Sequence, residues 1–246
     1  MKPISHLALA AAVIHGSVFA GDIDPSWKTS AELGAITTSG NTAGTSVTGR
    51  IDARQELENW SNQYIVSGYF KEDEKTVSNG KSVTVKSAER VSVSAKAAYK
   101  LMEDGKKLFV LGSYVDDRFG AYTTYSTMAV GHAWGWENAK DRRIDLEVGP
   151  GYFTGTRANG EDEKGFTVRG AAAVNWRLSP SAVFSHSVSV ERGTSNVHSI
   201  AETAVSTKIN GTMQMKAAFA ARNDTNVPAN KKNTDTQTSV TLVYSF

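Results

Sequence analysis

The closing stretch, residues 233–246 (NTDTQTSVTLVYSF), sorts its side chains in strict alternation. Thr234, Thr236, Thr238, Val240, Leu242, Tyr244 and Phe246 share one register, and Asp235, Gln237, Ser239, Thr241, Val243 and Ser245 share the other. Strand side chains point alternately to two faces, so one side grows steadily apolar while the other stays almost wholly polar. The same period of two recurs through most of the chain, which restricts the fold to β-sheet.

Taken in order, strands are expected over 27–37, 45–57, 60–71, about 88–101, 107–119, 121–136, 142–153, 165–178, 182–192, 197–209, 212–223 and 233–246. Val47, Gly49, Ile51 and Ala53 oppose Thr48, Arg50, Asp52 and Arg54. Val91, Val93, Ala95 and Ala97 oppose Arg90 and Lys96, and Ile144, Leu146 and Val148 oppose Arg143, Asp145 and Glu147. Ser39-Gly40-Asn41-Thr42 reads as a turn. Asn210-Gly211 reads as a two-residue hairpin, since both residues tolerate positive φ. The connections 58–59, 102–106, 137–141, 179–181 and 210–211 are short, whereas 72–87, 155–164 and 224–232 are read as longer polar loops. An even count of about twelve strands, with short turns at one end and longer loops at the other, fits an antiparallel barrel that crosses a membrane.

Residues 1–20 are set apart from this pattern. Lys2 supplies a positive start, 7–19 is mostly apolar, and Val18-Phe19-Ala20 is a small-x-small cleavage site. The alternatives are a buried helix or an anchor, but the apolar run is shorter than the roughly 20 residues that span a bilayer. A cleaved secretory signal is expected, leaving 21–246 as one barrel domain. Taking Lys2 from 27 basic residues leaves them nearly balanced against 25 acidic ones, so the footprint of a nucleic-acid binder is missing. The chain has no cysteine, which excludes disulfides and thiolate metal sites. A mean hydropathy of −0.33 would ordinarily suggest a soluble protein, but a barrel dilutes its apolar residues with lumen residues one for one.

A soluble barrel alternates too, with its apolar face turned inward. Three features favour the membrane. The apolar register is rich in Ala, Val, Thr and Gly rather than the bulky Leu and Ile of a close-packed interior. Trp27, Trp60, Tyr99, Trp134, Trp136, Trp176, Tyr244 and Phe246 gather near the expected periplasmic edge, as aromatic girdles do. Closure removes the exposed edges that so many strands would otherwise present.

The final stretch resembles the closing strand of bacterial outer-membrane barrels, which implies that Leu242, Tyr244 and Phe246 form a signal read by the barrel-assembly machinery. Further landmarks are Leu33-Gly34 with Ser39-Gly40-Asn41-Thr42, then Asp116-Asp117-Arg118-Phe119-Gly120, the aromatic run 122–136, and Gly149-Pro150-Gly151-Tyr152. Together these resemble the salt-induced outer-membrane-protein family, a bacterial group without an assigned molecular function. The resemblance implies an outer-membrane location among lipid and lipopolysaccharide, and a link to salt or envelope stress.

Assigning the polar register to the lumen points Arg50, Arg54, Arg90, Lys96, Lys100, Arg143, Arg169, Arg177, Lys208, Lys216 and Arg222 inward. Glu32, Asp52, Glu56, Asp145, Glu147, Glu191, Glu202 and Asp235 join them. The slight basic excess suggests a narrow pore for small anionic solutes, with Arg50, Asp52, Arg54, Arg90, Arg143, Asp145, Arg169, Arg177 and Lys216 as candidate lining residues. The alternative is a structural barrel whose lumen is closed by salt bridges. An envelope hydrolase is a third reading, and would need a serine beside an activating histidine. His132, His186 and His198 have Trp134, Val188 and Ile200 as their same-face neighbours two residues on, so no catalytic residue is assigned. The acidic triplets 72–74 and 161–163 lack the spacing of a calcium loop and read as solvated loop charge. No cofactor and no metal centre are expected.

Overall fold

The computed structural model describes residues 24–38, 43–76, 82–103, 105–138, 141–229 and 231–246. Twelve strands follow one another: β1 (Trp27–Thr38), β2 (Gly44–Glu56), β3 (Trp60–Thr76), β4 (Ser82–Lys100), β5 (Lys106–Asp117) and β6 (Tyr122–Asn138), then β7 (Arg142–Arg157), β8 (Asp162–Arg177), β9 (Ala182–Arg192), β10 (Val197–Lys208), β11 (Met213–Asp224) and β12 (Thr234–Ser245). Each pairs antiparallel with its sequence neighbours, and β12 returns to β1, closing the barrel. The signal expected over 1–20 and the turn expected over 39–42 lie outside the described residues.

The faces are those that the alternation predicts. Leu33, Met128 and Phe166 are 66%, 62% and 80% exposed on the outside, whereas inward-facing Asp52, Glu191 and Thr241 are 8%, 5% and 6% exposed. This inverts the arrangement of a soluble barrel and decides between the two readings. The outer aromatics at the terminal end pack in pairs: Trp27 stacks on Tyr64 (6.1 Å between centroids), Trp60 meets Tyr99 edge-on (5.3 Å), and the Arg142 guanidinium lies 4.4 Å over Trp176. Farther from the termini, Tyr152 and Phe166 meet edge-on at 5.4 Å.

Three expectations about connections are corrected. The span 72–87 is mostly strand: β3 runs to Thr76 and β4 starts at Ser82, with a register shift at Lys71/Glu72. The span 155–164 likewise shrinks to a tip at 158–161. These hairpins rise past the main apolar band and, Val83 and Val85 apart, carry mostly polar side chains, so their strands look like loops in the sequence. The triplets 72–74 and 161–163 consequently sit largely in strands. Asp73 is held by Lys71 (3.1 Å), and Glu163 by Arg157 (2.7 Å) and Tyr122 (2.7 Å). Finally, Asn210-Gly211 is not a two-residue turn. Among the described glycines, positive φ occurs at Gly105 and Gly160, and Asn210 Oδ1 instead accepts from the Thr212 and Met213 amides (3.0 and 2.8 Å).

Two glycines explain one landmark of the sequence. Pro150 has no N–H to give the β6–β7 ladder, which skips from Ala129↔Gly151 to His132↔Val148. There the two backbones close in: a Cβ on Gly149 would lie 1.9 Å from the Val130 carbonyl oxygen, and one on Gly131 2.2 Å from that of Val148. Phe109 lies beside Gly131 and is 2% exposed, in a lumen cluster with Ala98, Leu111 and Ala129.

The candidate site: a lumen of paired charges

Alternation along the strands delivers the lumen side chains, and most of their charges find partners close by. Asp52 accepts from Arg54 (3.1 and 3.2 Å) and Gln63 (3.2 and 3.1 Å), and has a longer contact to Arg50 (3.5 Å). Arg90 pairs with Asp117 at 3.1 Å. Lys216 bridges Glu32 (3.3 Å) and Glu202 (3.1 Å), joining β11 to β1 and β10. Arg169 pairs with Glu191 at 2.8 Å, and Glu191 also accepts from Tyr125 at 3.1 Å.

Several of these contacts cross the lumen instead of following one hairpin. Lys96 on β4 meets Glu147 on β7 at 2.5 Å. Tyr125 on β6 reaches Glu191 on β9 and stacks on His198 of β10 with centroids 5.0 Å apart. His198 in turn meets Asp224 at 2.9 Å. Tyr125 also stacks on Phe153 at 5.5 Å, within a cluster containing Ala121 and Tyr122.

The expected lining residues therefore divide into groups. Arg50, Asp52 and Arg54 form one cluster, and Arg50, Arg90 and Lys216 border a common cavity. Arg169 belongs to the Glu191–Tyr125 group. Arg143 and Asp145 pair near the terminal end (2.9 Å), where Arg143 also meets Glu137 at 3.1 Å. Arg177 is exposed at that rim. Leu242 and Tyr244 lie on the outer face opposite Leu33 and Ala31 of β1, and Phe246 exchanges backbone hydrogen bonds with Thr29 (3.0 and 3.1 Å).

Asp117, Tyr122, Tyr125 and Asp224 are not among the lining residues expected from the sequence, although Asp117 and the run 122–136 are among its landmarks. Inward positions on β5 include Phe109, Leu111 and Val115 beside Ser113 and Asp117, so both faces of that strand look apolar and the alternation gives no contrast. Of the histidines, outward-facing His186 bonds Thr203 Oγ1 at 2.9 Å, and His132 lies 4.3 Å from the Trp134 ring, also outward.

Two spaces open inside. A cavity of about 90 Å³ lies between the β1–β4 and β10–β12 walls, bordered by Glu32, Arg50, Arg90, Glu202, Lys216 and Arg222. A wider pocket of about 530 Å³ opens at the terminal end beside Lys28, Ser30, Asp52, Arg54 and Phe246. At the opposite mouth the β11–β12 connection, described over 225–229 and 231–233, lies over the lumen. Val227 packs on the Tyr122–Tyr125–Phe153 cluster, and Lys231 Nζ donates to the Phe119 carbonyl at 2.8 Å, half-way round the barrel. Asn196 ties the same connection down, donating to Asp224 Oδ1 (2.7 Å) and accepting from the Asn226 amide (3.0 Å).

Solved structures share this architecture. An outer-membrane channel from Pseudomonas putida F1 superposes with a TM-score of 0.54 at 9% identity, covering 90% of this chain and 96% of that one. The NanC porin superposes with a TM-score of 0.51 at 7% identity, covering 89% of this chain and 97% of that one. At these identities the likeness is one of fold, that of a transmembrane outer-membrane barrel. No curated protein matches the chain in sequence. The match that does span it, over residues 31–246, is to the family described as "Protein of unknown function, DUF481", and the chain belongs to that family.

Proposed function

We propose that this protein is a channel of the bacterial outer membrane for small anionic solutes, with a lumen narrowed by ion pairs in the conformation described. The observation that carries this reading is the inverted barrel: charged side chains and a polar cavity inside, with large apolar side chains on the outer face. Packed apolar side chains fill part of the lumen around Phe109 and Phe153, while paired Arg, Lys, Asp and Glu line the rest and keep it compatible with water and ions. Residues 1–20 act in this reading as a cleaved secretory signal. Leu242, Tyr244 and Phe246 serve the assembly machinery, and the outer surface meets lipid and lipopolysaccharide. The resemblance to the salt-induced family adds service during salt or envelope stress.

A second reading, a structural barrel that passes nothing, is favoured by one observation: Lys96–Glu147 and Tyr125–Glu191 tie strands that are not neighbours. Single-channel recording of refolded 21–246 in a planar bilayer under a salt gradient separates the two. Discrete steps with an anion-favouring reversal potential are expected. A silent membrane, with a heat-modifiable gel shift proving the barrel folded, would transfer the case to the structural reading.

A further inference from the structure

We infer that the cavity between the two lumen walls is a discrete binding site for one small monovalent carboxylate, held by Arg222 of β11 with Arg50 of β2 lining the same space. The cations around the cavity differ in their carboxylate partners. Lys216 is held by both Glu32 and Glu202, and Arg90 by Asp117. Arg50 has only the 3.5 Å contact to Asp52, whose oxygens already accept from Arg54 and Gln63 at shorter range. Arg222 has no carboxylate within ion-pair distance among the described residues. Both its terminal nitrogens make only 3.5 Å contacts to the neutral Gln237 Oε1. Asp235 stands opposite Arg222 in the ladder but forms no ion pair with it.

A partly buried guanidinium without a carboxylate is costly, and its planar fork matches a carboxylate in two parallel hydrogen bonds. Thr241 lines the same space, and its Oγ1 is buried without a hydrogen-bond partner; a χ1 rotation would present this hydroxyl, a ready donor, to an anion there. A cavity of about 90 Å³ has room for a few waters or one short-chain carboxylate, and little more. Two incompletely paired guanidiniums thus border a space of that size, with a hydroxyl one rotation away, and they select charge and shape together. This extends the channel reading by naming the solute class and the place where it rests.

The test uses formate as probe. Its ¹³C resonance is titrated against the refolded protein in detergent micelles, for the wild type and for Arg222→Gln, Arg222→Lys and Thr241→Val. Saturable line broadening is expected in the wild type. It should weaken at least tenfold in Arg222→Gln, recover partly in Arg222→Lys, and weaken a few-fold in Thr241→Val. Non-saturating broadening in the wild type overturns the site, as does equal binding by a folded Arg222→Gln. Should that variant fail to fold, unchanged binding by Thr241→Val overturns it instead. Because the titration needs no current, a silent bilayer with saturable formate binding would remove the channel and leave the site. A conducting channel without saturation would do the reverse.

Discussion

Glu191 shows how much one lumen residue holds. It is 5% exposed, and its two oxygens accept from Arg169 of β8 and Tyr125 of β6. Exchanging it for glutamine keeps the shape and strips the charge, leaving the Arg169 guanidinium buried beside a neutral amide. Loss of one partner of such a pair costs about 3 kcal/mol or more. Glu191→Gln should therefore lower the unfolding free energy of the barrel in lipid vesicles by about that amount, read from urea titration followed by tryptophan fluorescence. A loss below about 1 kcal/mol would class the pair with exposed ones. At this scale the sequence was readable wherever a strand carried contrast. Arg50, Asp52, Arg54, Arg90, Arg169 and Lys216 all face inward as their period demands. It was unreadable for Asp117 and Tyr125, whose strands carry apolar residues on both faces. Who pairs with whom was also hidden, because contacts such as Lys96–Glu147 depend on closure and not on spacing.

Among the elements, the junction of β1 and β12 differs from the rest. Its ladder joins Ser30–Leu33 to Leu242–Ser245, four residue pairs among the described residues, whereas β8 and β9, neighbours elsewhere in the wall, share ten. Strand number and order were legible, since each hairpin follows from alternation and local turns. Closure was legible only as a requirement, and its register came from the fold. That register is testable because the chain has no cysteine of its own. Leu33 and Leu242 are directly opposed, and antiparallel partners lie within the span of about 4.4–6.8 Å between Cα atoms that a disulfide bridges. A Leu33→Cys/Leu242→Cys double variant should form an intramolecular bond on mild oxidation, read as a mobility change on a non-reducing gel. A Leu33→Cys/Val240→Cys pair, one step out of register, should do so far less. Equal crosslinking by both pairs would mean that the junction slides.

For the molecule as a whole, the two mouths are unlike. The terminal end opens into a pocket of about 530 Å³, while at the other end the β11–β12 connection fastens to the far wall through Val227 and Lys231. A channel built this way should sense polymers by side. A small polyethylene glycol added at the terminal end should lower single-channel conductance, and the same polymer at the covered end should do much less. Replacing 226–231 with two glycines should erase the difference. Equal block from both sides of the unmodified protein would show that the crossing segment stands clear of the path.

The short junction has one more consequence, a mechanical one. Trp27 and Phe246 lie at the same end, on the two strands that the junction joins. A load applied between Trp27 and Phe246 would open bonds singly, as a zip does, and not shear a whole row together. The ring then behaves like a bracelet with a weak clasp: stiff against pressure on its wall, yet ready to unwind hairpin by hairpin once the clasp is pulled.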